Sequence, residues 1–325
     1  MPLTTKSEIL DVLQMPSEDW ERTIRPAARQ LHREQNANAL TATAMLGFDN
    51  VCKNQCLYCG MRAGNSSLSR YRIPPEDIAS TIRTVRETGM SRLFLISGED
   101  PHYGFDRLLR VVEIAKQAGL WVSLATGELD RLQYCELKAA GADEYALKFE
   151  MADRDTFNRL NPSTDFDQRM THIRWVQESG LALASGNIVG YPGQTLEMAA
   201  DDILLMQELQ ISWAPVIPYM PAQHTPLAAE GGPGSLETTW KEISILRLSM
   251  PAVRITAQLP GPNLREGLSS PTGNLAALQA GADVLFVDML PQALAKEFRV
   301  VDHRLVLGKE HIVHMAEQAD MMVRW

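Results

Sequence analysis

Short apolar runs alternate along the chain with longer segments in which apolar residues recur every three or four positions. That βαβα rhythm predicts a parallel sheet flanked by helices. The runs Leu40–Gly47, Arg92–Ser97, Trp121–Ala125, Glu144–Phe149, Ala182–Ile188, Ala214–Tyr219, Val253–Gln258 and Asp283–Val287 read as strands. Pro75–Glu87, Phe105–Ala118, Leu129–Ala139, Phe166–Glu178, Met198–Glu208 and Leu236–Leu248 read as helices between them. Gly89, Gly119, Gly141, Gly180 and Gly281 stand where such helices should stop before the next strand. Eight strands in this order predict a (β/α)8 TIM barrel, with a six-unit partial barrel as the alternative. Residues 1–36, with Ser17-Glu-Asp-Trp20 as a capping-box start, are expected to form an N-terminal helical extension. Residues 37–290 then form the barrel, and residues 291–325 a short C-terminal tail packed on it, with a helix over Lys309–Ala319.

Composition narrows the class. A chain of 325 residues, 45% of them hydrophobic, suits one large barrel and is short for two ordinary domains. No apolar run approaches the length of a membrane span, and the start lacks the apolar core of a signal peptide, so a cytoplasmic location is expected. A net charge of −9 without any basic cluster argues against nucleic-acid partners. Only four cysteines are present, and three of them fall in Cys52-Lys-Asn-Gln-Cys56-Leu-Tyr-Cys59. Three thiolates at this spacing can hold three irons of a [4Fe–4S] cube and leave the fourth open to a ligand. Zinc is the competing reading, but it takes four ligands and no second cysteine pair stands nearby. Free thiols in this pattern also suit a reducing compartment.

CxxxCxxC with an aromatic residue, Tyr58, before the last cysteine resembles the signature of the radical S-adenosylmethionine (SAM) superfamily. That resemblance implies a [4Fe–4S] cluster on Cys52, Cys56 and Cys59, and SAM chelated to its open iron. It also implies reductive cleavage of SAM to a 5′-deoxyadenosyl radical that acts on a small-molecule substrate. An external electron donor of flavodoxin or ferredoxin type would be needed, and neither nucleic acid nor membrane. Ser97-Gly98-Glu99-Asp100-Pro101, after the second strand, resembles the segment that receives the amino group of SAM, which makes Gly98, Glu99 and Asp100 candidate contacts. Glu150 and Arg169 resemble the ribose and carboxylate contacts, and Gly186-Asn-Ile188-Val-Gly190 resembles the segment facing the adenine. Tyr58, Glu128, Gly186 and Ile188 complete the expected SAM set.

Within the superfamily the chain resembles the biotin synthase, methylornithine synthase and [FeFe]-hydrogenase E-type maturase group over about residues 50–291. Asn54–Gly60 with Arg62 and Asn65, Arg70-Tyr-Arg72, Ser97–Pro101, Asn187–Thr195 and Gly281-Ala-Asp283 carry that likeness. Cys-Leu-Tyr-Cys-Gly-x-Arg, Ser-Gly-Glu-Asp-Pro and Thr126-Gly-Glu128 point to the maturase branch. The chain departs from that branch in lacking a C-terminal cysteine set. A lone Cys135 cannot hold the sacrificial cluster of a biotin synthase. The arginine and Ser-x-Asp by which a methylornithine synthase reads its amino acid are replaced by Ala214-Pro-Val216 and Gln258-Leu-Pro260. The alternatives kept are a methylornithine synthase-like mutase and a non-catalytic iron–sulfur scaffold in cofactor assembly. Tyr219, Gln258 and Asp288, at the ends of late strands, are expected to line the substrate pocket, with Met220 at its border. Cys135 is expected as a core filler, His311 and His314 as a helix pair without metal, and Arg247 as a partner of the last helical carbonyls.

Overall fold

The computed structural model describes residues 3–325. Eleven strands run in chain order: β1 (Ala39–Asp49), β2 (Arg92–Ser97), β3 (Trp121–Ala125), β4 (Glu144–Ala146), β5 (Ala182–Ala184), β6 (Ile188–Val189), β7 (Trp213–Ala214), β8 (Ile217–Pro218), β9 (Arg254–Ile255), β10 (Val284–Asp288) and β11 (Met322–Arg324). The ladder β10-β1-β2-β3-β4-β5-β7-β9 is parallel throughout. A bridge between Thr256 and Val284, with Ala257 N–H donating to the Val284 carbonyl at 2.8 Å, joins its two ends. The sheet therefore curls into a TIM-barrel-like fold.

Helices α1 (Lys6–Gln14), α2 (Ser17–Arg22), α3 (Ile24–Gln35), α4 (Pro75–Glu87), α5 (Phe105–Gln117), α6 (Arg131–Ala139), α7 (Arg154–Leu160), α8 (Phe166–Glu178), α9 (Leu196–Glu208), α10 (Leu236–Ser249), α11 (Pro271–Ala280), α12 (Gln292–Ala295) and α13 (Lys309–Gln318) surround it. Among the described residues none is long and apolar enough to cross a membrane.

Differences from the sequence reading have local causes. The predicted strand Ala214–Tyr219 splits into β7 and β8 because Pro215 brings no N–H to the ladder. The predicted runs Glu144–Phe149 and Ala182–Ile188 shorten because the Ser185 hydroxyl intervenes. It donates to the Leu147 carbonyl at 2.8 Å and accepts from Phe149 N–H at 3.1 Å. Ser17 does not cap: α2 starts at that residue with Pro16 before it, and the N-terminal capping box is Thr5 with Glu8. Cys135 is exposed rather than buried, since α6 turns Tyr134 and Leu137 inward and the next position points away. Arg247 is buried, donates to the carbonyls of Pro251 and Gly281, and lies 3.2 Å from Asp283. His311 contacts Asn274 at 2.8 Å. The tail also contributes β11, which pairs with the start of β1.

Inside the barrel, Phe94 packs edge-on against Trp213 at 5.0 Å, with Phe286 at 5.9 Å from Phe94. These rings form a floor. Everything above it, toward the C-terminal ends of the strands, is open to loops.

Candidate active site

Beyond β1 the chain runs through residues 50–71 without a helix, and what holds this loop is a set of polar staples. The Arg70 guanidinium donates to four loop carbonyls: Asn50 at 2.6 Å, Met61 at 2.9 Å, Arg62 at 2.7 Å and Asn65 at 3.2 Å. Asn50, fully buried, donates to the carbonyls of Ser69 and Glu297 and accepts from Tyr71 N–H. Both ends of the loop are thereby tied together. Its outer part is fixed by Leu57 N–H on the Leu160 carbonyl and Gly60 N–H on that of Val300. Gly98, at the end of β2, lies so close that a Cβ there would fall 2.1 Å from the Val51 carbonyl oxygen.

Cys52, Cys56 and Cys59 are half-buried on this loop with free thiols. The Glu99 N–H points at Cys52 Sγ from 3.4 Å, a donor suited to a sulfur carrying charge. Burial raises all three thiols above the ordinary range, Cys56 to about 12. Each must give up a proton to bind metal, so iron loading is favoured by rising pH. Among the described residues no three His, Cys, Asp or Glu side chains converge on a single-ion site. A cube needs no such convergence, because each thiolate takes a different iron.

Cys52 and Cys59 open onto a chamber of about 370 Å³ whose floor is the aromatic trio. Tyr58, Gly98, Glu99, Glu150, Arg169, Ile188 and Tyr219 all line it. Glu99 is set by Lys53 Nζ at 2.7 Å and Asn54 Nδ2 at 2.9 Å. Arg169 Nε donates to Glu128 at 2.8 Å, and its guanidinium sits 5.3 Å from the Phe157 ring centre. Burial would raise the Glu128 carboxyl, but Arg169, with His172 and Gln168 beside it, outweighs that and holds it below its ordinary value. Tyr58 O–H donates to Asn161 at 2.6 Å. The chemistry of this donor set is specific: three thiols beside carboxylates and a guanidinium, over an apolar floor.

Residues 48–206 match the profile of the radical SAM superfamily. The [FeFe] hydrogenase maturase subunit HydE of Thermotoga maritima is 32% identical over 287 residues, 88% of this chain and 81% of its own. The chain belongs to the radical SAM superfamily. A 3-methylornithine synthase of Methanosarcina barkeri is 28% identical over 284 residues, 86% of this chain and 78% of its own. The crystal structure of methylornithine synthase (PylB) matches with a TM-score of 0.86 at 25% identity, covering 100% of this chain and 95% of that one. As a radical SAM enzyme the chain uses a [4Fe–4S] cluster and SAM.

For such an enzyme the positions of the remaining expected residues matter. Glu128 stands behind Arg169, and Asp100 beside Glu99; both line a neighbouring cavity of about 320 Å³ and not the thiol chamber. Asp100 is gripped by Arg72, with Nη2 at 3.1 Å, and accepts from His102 N–H, so its carboxylate is committed within the protein. Of these two neighbours, Glu99 is the one that reaches the chamber. Gly186 lines neither of these cavities; its carbonyl accepts from Glu150 N–H at 3.1 Å, and a Cβ there would meet the Pro215 carbonyl oxygen at 3.0 Å. Gln258 and Asp288 line a side chamber of about 160 Å³.

Glu150 adopts a left-handed backbone with φ of 61°, which glycine would occupy more readily. Lys148 Nζ lies 2.9 Å from its carboxylate. A strained acid facing a cavity is kept for what it touches. Glu150→Gly should therefore gain about 1 kcal/mol of stability while raising the KM for SAM about tenfold. Denaturant midpoints and SAM titration of the cleavage rate would show the two effects moving in opposite directions.

Asp49, fully buried at the end of β1, is pushed up to about 7 by burial, with Asp100 adding to the rise. The folded chain thus holds a proton that the unfolded chain has already released between the ordinary carboxylate value and about 7. Stability falls as pH rises through that window and levels off above it. Asn at this position imitates the protonated acid at every pH. Asp49→Asn should match the native chain's stability below about pH 4 and exceed it at about pH 8, by up to ~4 kcal/mol, with the thermal midpoint rising accordingly. An advantage independent of pH would contradict this protonation.

Sequence reasoning missed the clamp itself. Arg70 and Asn50 bond to main-chain carbonyls, which any residue supplies, so only their place in the family likeness marked them. It also missed the tail: Val300 and Val301 line the thiol chamber.

Proposed function

We propose that Cys52, Cys56 and Cys59 hold the cluster and that Tyr58, Glu99, Glu150, Arg169 and Ile188 hold SAM against it. The observation carrying this is a clamped loop that presents Cys52 and Cys59 to a chamber, with Cys56 between them on the same loop and the remaining cysteine, Cys135, exposed on α6. When bound and reduced, the cluster supplies the electron that splits SAM into methionine and a 5′-deoxyadenosyl radical. In this reading Glu99 accepts the SAM ammonium, Arg169 pairs with the carboxylate, and Glu150 accepts from the ribose hydroxyls. The floor of Phe94, Trp213 and Phe286, with Val300 and Val301 across the mouth, keeps water from a primary carbon radical. A small polar substrate then enters beside Tyr219, which lines the chamber.

The electron comes from a separate flavodoxin- or ferredoxin-type donor. The 32% identity to HydE favours a maturase-like role in cofactor assembly. The full-length superposition on PylB favours a second reading, a mutase acting on an amino acid.

Anaerobic reconstitution with ferrous iron and sulfide tests the proposal. The reduced protein should show a cube's paramagnetic signal that shifts on addition of SAM, followed by release of 5′-deoxyadenosine. A signal that ignores SAM, with no 5′-deoxyadenosine, would leave a scaffold in its place.

A further inference from the structure

The side chamber of about 160 Å³ shares Ile96, Thr256, Phe286 and Val300 with the thiol chamber, so the two are joined. By volume it holds about five waters, which limits it to a compact ligand. Most of its wall is apolar, including Met45, Leu268 and Phe298. Two donors break that wall. Arg304, from the tail, gives Nη2 to Asp288 at 2.5 Å and lies 4.9 Å from the Phe298 ring centre; its Nε is sealed within the protein, while its Nη1 is neither sealed nor bonded to a protein acceptor among the described residues. Gln258 uses its Oε1 to accept from Phe286 N–H at 3.0 Å, which orients the side chain and leaves its amide NH2 without a protein partner among the described residues.

The free Nη1 of a guanidinium set in a mostly apolar wall has only water to meet in the chamber, and a charged ligand acceptor would bond it more strongly. Aspartate occupies only part of the fork, and a guanidinium has donors enough for a second carboxylate. We propose that Arg304, with Gln258, receives the carboxylate of a compact substrate whose apolar body points toward the thiol chamber. This rests on the reading of that chamber as the SAM site, and it gives the substrate a chemical class. It also places the recognising cation on the tail and not on the barrel: β7 ends at Ala214 and is followed by Pro215-Val216, with no cation to offer. Asp288 becomes a positioning residue, holding the plane of Arg304 above Phe298.

The probes are the straight-chain acids from propionate to hexanoate and their amides, titrated by saturation-transfer NMR into cluster-loaded protein with SAM present. A charge-assisted bond predicts that acids bind about tenfold or more tightly than matching amides. That preference should vanish in Arg304→Gln, and also in the doubly changed Asp288→Asn, Arg304→Gln chain, which leaves no unpaired buried charge and guards against misfolding. Thermal midpoints of both variants check the fold. Amides binding as well as acids, a preference surviving in both variants, or no acid binding at all overturns the proposal. Displacement of the acids by inorganic phosphate or chloride at equal concentration also overturns it, because the site would then read charge alone. If the cluster forms and SAM is cleaved while these tests fail, only the carboxylate site falls; if no cluster forms, the underlying reading falls first.

Discussion

Gly98→Ala should strip most of the iron from the reconstituted protein while leaving the barrel folded. No positive φ is required at Gly98, so alanine is acceptable to the backbone there; the obstacle is contact. The added methyl would sit 2.1 Å from the Val51 carbonyl oxygen, 2.7 Å from its carbon and 2.9 Å from Cys52 Cβ. The loop must retreat by about an ångström, and displacements of that size cost on the order of 10²-fold in rate. Overpacking also costs ~1–3 kcal/mol, too little to unfold a barrel of this size. Iron per chain and 5′-deoxyadenosine yield should therefore fall together, with the circular dichroism unchanged. Gly232→Ala is the control, since nothing lies within 4 Å of a Cβ there. A fully loaded, active Gly98→Ala protein would show that close approach is not what seats the cysteine loop.

The barrel was legible because its signal is repeated and local. Eight apolar runs separated by amphipathic stretches fix a parallel sheet whatever each boundary does, and the boundaries failed where single residues act: Pro215 in the ladder and Ser185 between two strands. The cysteines were legible for the same reason, spacing within eight residues. Acids are harder. Glu99 and Asp100 are neighbours of one type, and only the approach of Arg72 commits the second while Gly127, with φ of 90°, leaves room for the first. Arg304 was out of reach altogether, because its partner Asp288 and its ring Phe298 meet it only once the tail has folded back over the mouth.

Arg169→Met should cost ~3–5 kcal/mol of stability and abolish most SAM cleavage, and the two losses should come apart in a second variant. Methionine keeps an apolar stem against Phe157 but leaves the Glu128 carboxylate, 6% exposed, without its cation. The Lys148 carbonyl loses a donor as well. Thr164 and Gln168 still donate to Glu128, which softens the loss without replacing the charge. Adding Glu128→Gln removes the stranded charge, so the double variant should regain most of the stability. Turnover should remain down by about 10²–10³, because the group proposed to pair with the SAM carboxylate is still missing. The pH dependence gives an independent sign. In the native chain Glu128 is held below its ordinary value, so its contribution is present above the unfolded carboxylate range and is lost as pH falls through the folded value. Without Arg169, only Thr164, Gln168 and His172 oppose burial at Glu128, so the slope across the carboxylate range should weaken; in the double variant it should flatten. A double variant that recovers SAM cleavage along with stability would assign Arg169 to the fold and remove it from the cofactor site.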